Sequence, residues 1–134
     1  MPARDPAARK SAAKTSGRFA YEGLDRIFHE KARLGIMTSL TTQPEPLSFG
    51  ELAALCALSD GNLNRHLAVL SEAGFVKVTR EGRGRASRTL CAVTRAGQKA
   101  FLEYLKELER VIADAVEASA VREHHAVRPG WATA

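Results

Sequence analysis

The sequence predicts an α+β fold that is mainly helical. Three features support this prediction: two short helical patterns with a tight connection, two strand-like runs around a glycine-arginine tip, and a long helical pattern after them. They follow one another between residues 48 and 119. A chain of 134 residues is long enough for one domain with a modest core.

The first short helical pattern begins at Ser48, a residue type that favours the N-cap position. Glu51 follows three residues later and completes the pattern of a capping box. Leu52 and Leu55 have the spacing of an apolar stripe on one face. We therefore predict a helix that ends near Cys56.

The second short helical pattern begins after a connection of two residues. Ser59 is a favourable N-cap, and Asp60 in the first turn suits the positive end of the helix dipole. Apolar residues then recur with helical spacing, and a glycine follows them, as at many helix C-termini. Two helices joined this tightly form a helix-turn-helix, although an ordinary helical hairpin has the same pattern. These residues are Leu63, Leu67, Leu70 and Gly74.

A hairpin directly after the second helix decides between these alternatives. Residues 75–79 alternate apolar and polar side chains, and residues 88–93 have the pattern of a returning strand. The segment 81–85 between them, Glu-Gly-Arg-Gly-Arg, suits a hairpin tip because glycine adopts the required backbone angles. A hairpin in this place is a wing, so the sequence predicts a winged helix-turn-helix. Leu47 is expected to form a short third strand.

The wing is rich in arginine, and the formal net charge of the chain is +5. A solvated loop is one interpretation, because charged side chains usually lie at the surface. Arginine next to glycine can, however, approach phosphate closely, and the guanidinium group matches phosphate geometry. The net charge favours an anionic partner without distinguishing DNA from RNA or a membrane.

A helical stretch is predicted before the helix-turn-helix, with apolar patches at residues 24–28 and 34–40. It should stop at residues 41–44, since Pro44 disfavours helix in the residue before it. The long last helix should be capped by Thr94 and end near Ser119.

The apolar residues of the last helix recur at spacings of four and three, near the repeat of a helix–helix seam. A small domain covers only part of such a helix, and an isolated copy would expose an apolar patch. We therefore predict a homodimer, the alternative being a helix that folds back over its own domain. The predicted interface comprises Leu24, Ile27, Phe28, Phe101, Leu102, Leu105, Leu108, Ile112 and Val116.

The predicted domain organisation has three parts. Residues 1–17 form a basic leader that should be disordered because it has few large apolar side chains; a basic arm along DNA and a transit peptide are alternatives. Residues 18–119 form the domain, with the dimerisation helix at 94–119, and residues 120–134 form a flexible tail. The chain has no run of about 20 apolar residues and no apolar signal segment, so we expect a cytoplasmic protein that does not bind membranes.

Several matching segments carry a family resemblance, of which Gly61-Asn62-Leu63 and Arg88-Thr89 are the most specific in combination. The chain resembles winged-helix transcriptional regulators related to the MarR and ArsR families, and is most similar to a compact single-domain subgroup. The resemblance covers Leu24 to Val111. The other matches are Leu24-Asp25, His29-Glu30, Arg33-Leu34, His66-Leu67, Leu70, Glu72-Ala73-Gly74-Phe75-Val76, Thr94 and Gly97.

The resemblance implies a homodimeric regulator of transcription that binds double-stranded DNA, with repression as the simplest outcome and activation left open. The second helix would enter the major groove, where asparagine reads adenine and arginine reads guanine. The wing would hold phosphate or reach the adjacent minor groove. The predicted DNA contacts are Ser48, Ser59, Asp60, Asn62, Asn64, Arg65, Arg80, Arg83, Gly84, Arg85 and Arg88.

Other functions are less well supported by the sequence. A winged-helix adaptor that binds only protein and an RNA-binding module are the main alternatives, and whether a small-molecule effector exists is open. No enzyme is expected, because nucleophile-elbow, P-loop and dinucleotide motifs are lacking. We predict no cofactor and no metal: Cys56 and Cys91 lack the close spacing of ligands, and His124-His125 lie in the tail. His66 is expected to be a hydrogen-bonded structural histidine.

Overall fold

The computed structural model describes the backbone of residues 17–125 and the side chains up to residue 122. The predicted leader, apart from Gly17, and residues 126–134 lie outside the described residues. The described chain has two compact units: residues 23–108, and a smaller one of residues 17–22 with the helix from residue 109 onward. The helices are α1 (Lys31–Thr42), α2 (Phe49–Cys56), α3 (Asp60–Glu72) and α4 (Arg95–His125), and the strands are β1 (Leu47–Ser48), β2 (Val76–Glu81) and β3 (Arg88–Val93).

The predicted helical stretch before the helix-turn-helix is two elements rather than one. A 3₁₀ turn spans Arg26–Phe28, and α1 begins only at Lys31. The reason is local, because two acidic side chains cap two separate starts: Asp25 accepts from the N–H of Ile27 and Glu30 accepts from that of Ala32. The predicted stop is confirmed, since α1 ends two residues before Pro44.

The helix-turn-helix is confirmed in its detailed connections. Ser48 and Glu51 form the predicted capping box at the start of α2. Helix α2 ends at Cys56, and Ala57 adopts a left-handed conformation with φ of 55°. Ser59 then caps α3 by accepting from the N–H of Asn62 at 3.2 Å.

The sheet is antiparallel, with β3 between β1 and β2. Leu47 and Val78 both lie opposite Cys91, which confirms the third strand at Leu47. Strand β2 begins and ends later than predicted, because its pairing continues to Glu81 opposite Arg88. The expected burial of alternate residues holds only for Val76, and Val78 is 40 % exposed. Beyond its first residue, β2 is therefore surface-exposed.

Aromatic rings form much of the core of the larger unit. Phe28 lies 5.3 Å from Phe75, 5.2 Å from Phe101 and 5.5 Å from Tyr104, measured between ring centroids. Phe28 and Phe101 are 0 % and 1 % exposed. The prediction that these two residues line a dimer interface is therefore wrong, because their rings are already covered by their own domain. An apolar stripe on a helix does not itself specify what covers it.

Helix α4 begins as predicted and extends further than predicted. Thr94 caps it by accepting from the N–H of Gly97 at 2.9 Å. The helix continues to His125 rather than ending near Ser119, so residues 120–125 are helical. In the smaller unit, the Tyr21 hydroxyl donates to Asp114 at 2.6 Å, and the guanidinium of Arg110 lies 5.9 Å from the Tyr21 ring centroid.

The first turn of α4 lies very close to the start of the wing. A Cβ atom at Gly97 would overlap the carbonyl oxygen of Phe75, a backbone atom that cannot move aside easily. The same carbonyl accepts from the N–H of Thr94 at 3.0 Å. Only glycine fits at position 97 without a shift of the backbone.

We expect Gly97→Ala to lower the free energy of unfolding by about 2 kcal/mol or more, as overpacking does in other cores. Gly50→Ala is the matched control, because a Cβ at this helical position would meet no heavy atom of the described residues within 4 Å. That control should be neutral or stabilising by about 0.5–1 kcal/mol. Urea unfolding of both variants tests this, and equal midpoints would contradict the close contact.

Candidate nucleic-acid interface

The exposed face of α3 carries the side chains that the sequence predicted for base contacts. Asp60, Asn62, Asn64 and Arg65 are all exposed in the first two turns of the helix. The opposite face is fixed by burial: Leu63, His66, Leu67 and Leu70 are buried. The first turns of α3 therefore present only polar and charged side chains to the solvent.

Two of these side chains form a pair on the helix surface. The Arg65 Nη2 atom donates to Oδ1 of Asn62 at 2.9 Å, across one turn of the helix. The bond occupies one acceptor of Asn62 and restricts the Arg65 guanidinium in the absence of a partner. Arg65 keeps other N–H donors, because a guanidinium carries five.

A groove of about 490 Å³ separates α3 from the wing. Residues of α3 and of the wing line the groove, together with Phe49 at the start of α2. The lining residues of α3 are Asn64, Leu67, Ala68 and Ser71, and those of the wing are Val78, Arg80 and Thr89. Of these lining residues, the predicted DNA contacts included only Asn64 and Arg80; those not predicted include Ala68, Ser71 and Val78. Helical spacing would have placed Ala68 and Ser71 one and two turns after Asn64, whereas the strand pattern pointed to a buried Val78.

Arg80 is held within the wing. Its guanidinium donates to the hydroxyl of Ser87 at 2.7 Å and to that of Thr89 at 3.2 Å, both across the hairpin from β2. The sequence had assigned Arg80 to phosphate; in the structure it also braces the hairpin. Both acceptors are neutral, so the charge of Arg80 is not balanced by these bonds.

The wing tip depends on glycine. Gly82 has φ of 85°, and a Cβ there would lie 2.6 Å from the carbonyl oxygen of Ala86. Gly84 has φ of 52° and begins a short 3₁₀ turn that ends at Ala86. Arg83 and Arg85 are exposed beside these glycines. Their guanidinium groups are therefore presented by a tip whose shape only glycine adopts readily.

The start of α2 adjoins the base of the wing. A shallow depression is lined by Ser48, Phe49 and Gly50 of this helix start and by Arg80, Ser87, Arg88 and Thr89 of the wing. The pKa of Glu51 is lowered, first by the hydrogen bond from the Ser48 backbone N–H, then by the Ser48 side chain, and to a smaller extent by Arg88. An ionised Glu51 keeps the capping box intact. The predicted contact residues Ser48 and Arg88 therefore lie near each other.

The cysteines and the buried histidine have structural surroundings. Cys91 is fully buried, and burial raises the pKa of its thiol, which disfavours the reactive thiolate. The Cys56 sulfur lies 3.6 Å from the Ser39 hydroxyl. His66 is hydrogen-bonded to Arg33, which confirms the structural assignment. Among residues whose side chains are described, no group of three metal-ligating side chains is close enough to hold an ion.

The other predicted interface residues differ in burial. Leu24, Ile27, Leu105 and Leu108 are half-buried against the core of the larger unit. Leu102, Ile112 and Val116 are 49 %, 55 % and 60 % exposed. Val121, which the sequence interpretation did not include, is also exposed. Within residues 17–125, no helix is long and apolar enough to cross a membrane.

Comparison with known proteins agrees with this geometry. Residues 32–112 match the family described as "Winged helix DNA-binding domain". The chain belongs to this family and is a winged-helix transcriptional regulator.

Individual proteins are similar to this chain in sequence or in fold. An uncharacterised protein of Methanocaldococcus jannaschii is 32 % identical over 83 residues, which span 62 % of this chain and 89 % of that protein. The transcriptional regulator homologue of Pyrococcus horikoshii OT3 is 28 % identical with a TM-score of 0.63, covering 68 % of this chain and 89 % of that one. A MarR-family protein of Enterococcus faecalis V583 shares the fold at 16 % identity and a TM-score of 0.59, covering 90 % and 96 % of the two chains.

The contribution of the Ser59 cap to the stability of α3 can be tested by substitution. Ser59→Ala removes the acceptor of the Asn62 N–H, so we expect a loss of about 1 kcal/mol in the free energy of unfolding. Ser71→Ala, at an exposed position near the end of the same helix, is the control and should change stability by less than about 0.5 kcal/mol. Equal losses in chemical denaturation would show that the cap does not stabilise α3.

Proposed function

We propose that this protein is a sequence-specific regulator of transcription that binds double-stranded DNA as a homodimer and represses by occluding a promoter. One observation carries the proposal: the polar first turns of α3 and the braced, arginine-bearing wing belong to the same domain and border one groove. A helix of this kind fits the major groove, and basic groups beside it fit the flanking phosphates. Such a protein would act in the cytoplasm.

The charge distribution supports DNA rather than a protein partner. An adaptor needs no arginine at the wing tip, whereas Arg80, Arg83, Arg85 and Arg88 all lie exposed on this hairpin. Straight duplex DNA offers a groove for α3 and phosphates for the wing. The deep, narrow major groove of duplex RNA does not admit such a helix.

A duplex titration at several salt concentrations tests the proposal. Fragments retained from sheared genomic DNA supply the specific duplex, and a scrambled duplex and a structured RNA are the comparisons. We expect tightest binding to the specific duplex, with affinity that falls as salt rises because phosphate contacts release counterions. An adaptor would bind none of the three, and an RNA-binding module would prefer the RNA. Transcription from the bound promoter in vitro should fall as protein is added.

The two halves of the interface should have separable roles. Arg65→Ala should cost about 1–3 kcal/mol at the cognate base and relax the preference there, since base contacts specify sequence. Arg83→Ala and Arg85→Ala should weaken binding to all duplexes alike and reduce the salt slope by about one for each lost phosphate contact. Binding curves on specific and scrambled duplexes measure both effects. A changed base preference in the wing variants, with none for Arg65→Ala, would reverse the assignment.

The dimer proposal rests on the exposed residues of α4. Leu102, Ile112 and Val116 leave apolar surface uncovered in the single chain, whereas Val121 lies on another side of the helix by helical spacing. Pairing of α4 with its copy would bury this surface, and Leu24, Ile27, Leu105 and Leu108 would lie at its margin. Two-fold symmetry would place the α3 helices about 34 Å apart, one DNA turn, on an inverted repeat.

Ile112→Glu with Val116→Glu should give folded monomers with weak operator binding, because charge replaces exposed apolar surface. These positions avoid Leu105 and Leu108, whose substitution would also disturb the core. Ala118→Glu places a charge at another exposed position of α4, on the opposite side by helical spacing, and should remain dimeric. Analytical ultracentrifugation at micromolar concentration measures the state of each. A wild-type monomer with full operator affinity would refute the dimer.

A further inference from the structure

One partly buried contact joins α3 to the elements before it. Nη1 of Arg33, in the first turn of α1, lies 3.1 Å from Nδ1 of His66 in the middle of α3. Nε of the same Arg33 donates to the carbonyl of Ile27 at 2.7 Å. His66 is only 5 % exposed. A single side chain therefore connects the 3₁₀ turn, α1 and the helix whose outer face carries Asn62 and Arg65.

The chemistry of this contact determines the protonation state of the imidazole. A guanidinium group is charged at all ordinary pH values and has donors only. Nδ1 of His66 must therefore be the acceptor, which requires a neutral ring with its proton on Nε2. Because the Arg33 guanidinium can only donate, this contact selects the Nε2-protonated tautomer of His66.

We propose that Arg33 and His66 are positioning residues that hold α3 in its DNA-binding orientation, and that protonation of His66 releases this hold. The inference rests on the proposed function and adds a form of regulation to it. Protonated Nδ1 becomes a donor and can no longer accept from Arg33. The two cations would then face each other at this contact, and α3 would lose the hydrogen bond that joins His66 to Arg33 of α1.

The surroundings of His66 set the direction of the pH effect. Burial lowers the pKa of His66 below its ordinary value of 6.5, Arg65 and Arg33 lower it further, and Glu30 opposes them. Since the folded pKa is the lower one, the unfolded chain binds the proton more readily. The stability from the neutral ring is complete above about pH 6.5 and is lost as pH falls from there toward the folded pKa.

The expected pH effect on binding has an unusual sign. Acidification adds positive charge to a protein and ordinarily strengthens its attraction to phosphate. Release of α3 predicts the reverse, a loss of affinity as the pH falls through the folded pKa of His66, which lies below 6.5. The chain has four histidines, so replacing His29, His124 and His125 by asparagine leaves His66 as the only one that titrates.

Two substitutions of His66 in that background separate the acceptor from the space it fills. His66→Asn places an amide oxygen near the position of Nδ1 and cannot be protonated in this range. It should bind the operator as the background protein does at pH 7.5 and keep that affinity on acidification, whereas the background protein weakens. His66→Leu fills similar space without an acceptor, and should bind about fivefold to tenfold more weakly at every pH while remaining folded by circular dichroism.

A nitrogen-15 spectrum of the imidazole in the wild-type chain adds a readout that needs neither DNA nor a variant. We expect the Nε2-protonated tautomer above pH 7, and the Nδ1-protonated tautomer would overturn the inference even if His66→Leu fails to fold. Two binding results would also overturn the inference. In one, acidification strengthens operator binding by the background protein and by its His66→Asn variant equally. In the other, the folded His66→Asn and His66→Leu variants bind the operator with the same affinity. If the wild type binds no duplex at any salt concentration, the proposed function fails, while the spectrum still tests the contact.

Discussion

The junction at Phe75 constrains the rest of the fold. Its carbonyl accepts from Thr94, and the first turn of α4 approaches it so closely that position 97 has no room for a side chain. The Thr94 hydroxyl also donates to the carbonyl of Gly74 at 2.6 Å, directly after α3. The end of α3, the start of the wing and the start of α4 are thus held at one point. The groove between α3 and the wing depends on this junction for its shape.

The sequence predicts well those features that depend on neighbours along the chain. Caps need only a side chain and a backbone N–H a few residues away, and the caps at Ser48, Ser59 and Thr94 are all present. The hairpin and its glycine tip follow from the same local chemistry. The break in the first helical stretch could also have been predicted, since the carboxylates of Asp25 and Glu30 can each accept from a backbone N–H two residues later.

The features that the sequence did not predict depend on contacts between distant parts of the chain. Helical spacing shows that Phe28 and Phe101 lie on apolar faces, but it does not show that these faces cover each other. Alternation in β2 predicted a buried Val78, whereas Val76 is the only residue of this strand that is buried in the core. The contacts of Arg80 with Ser87 and of Arg33 with His66 join charged or polar residues with no periodic pattern. The sequence assigned Arg80 and the other wing arginines to DNA alike, and it did not show that Arg80 also braces the hairpin.

The brace of Arg80 has a consequence for how quickly a partner is found. Had the guanidinium been held by an aspartate or glutamate, the wing would be equally ordered but would have lost one positive charge to its own chain. Hydroxyl acceptors order the hairpin and leave its long-range field intact. Fields of this kind steer polyanions during diffusion and raise the association rate constant, most strongly at low ionic strength. The wing thus combines a fixed shape in the complex with attraction that acts before any contact forms.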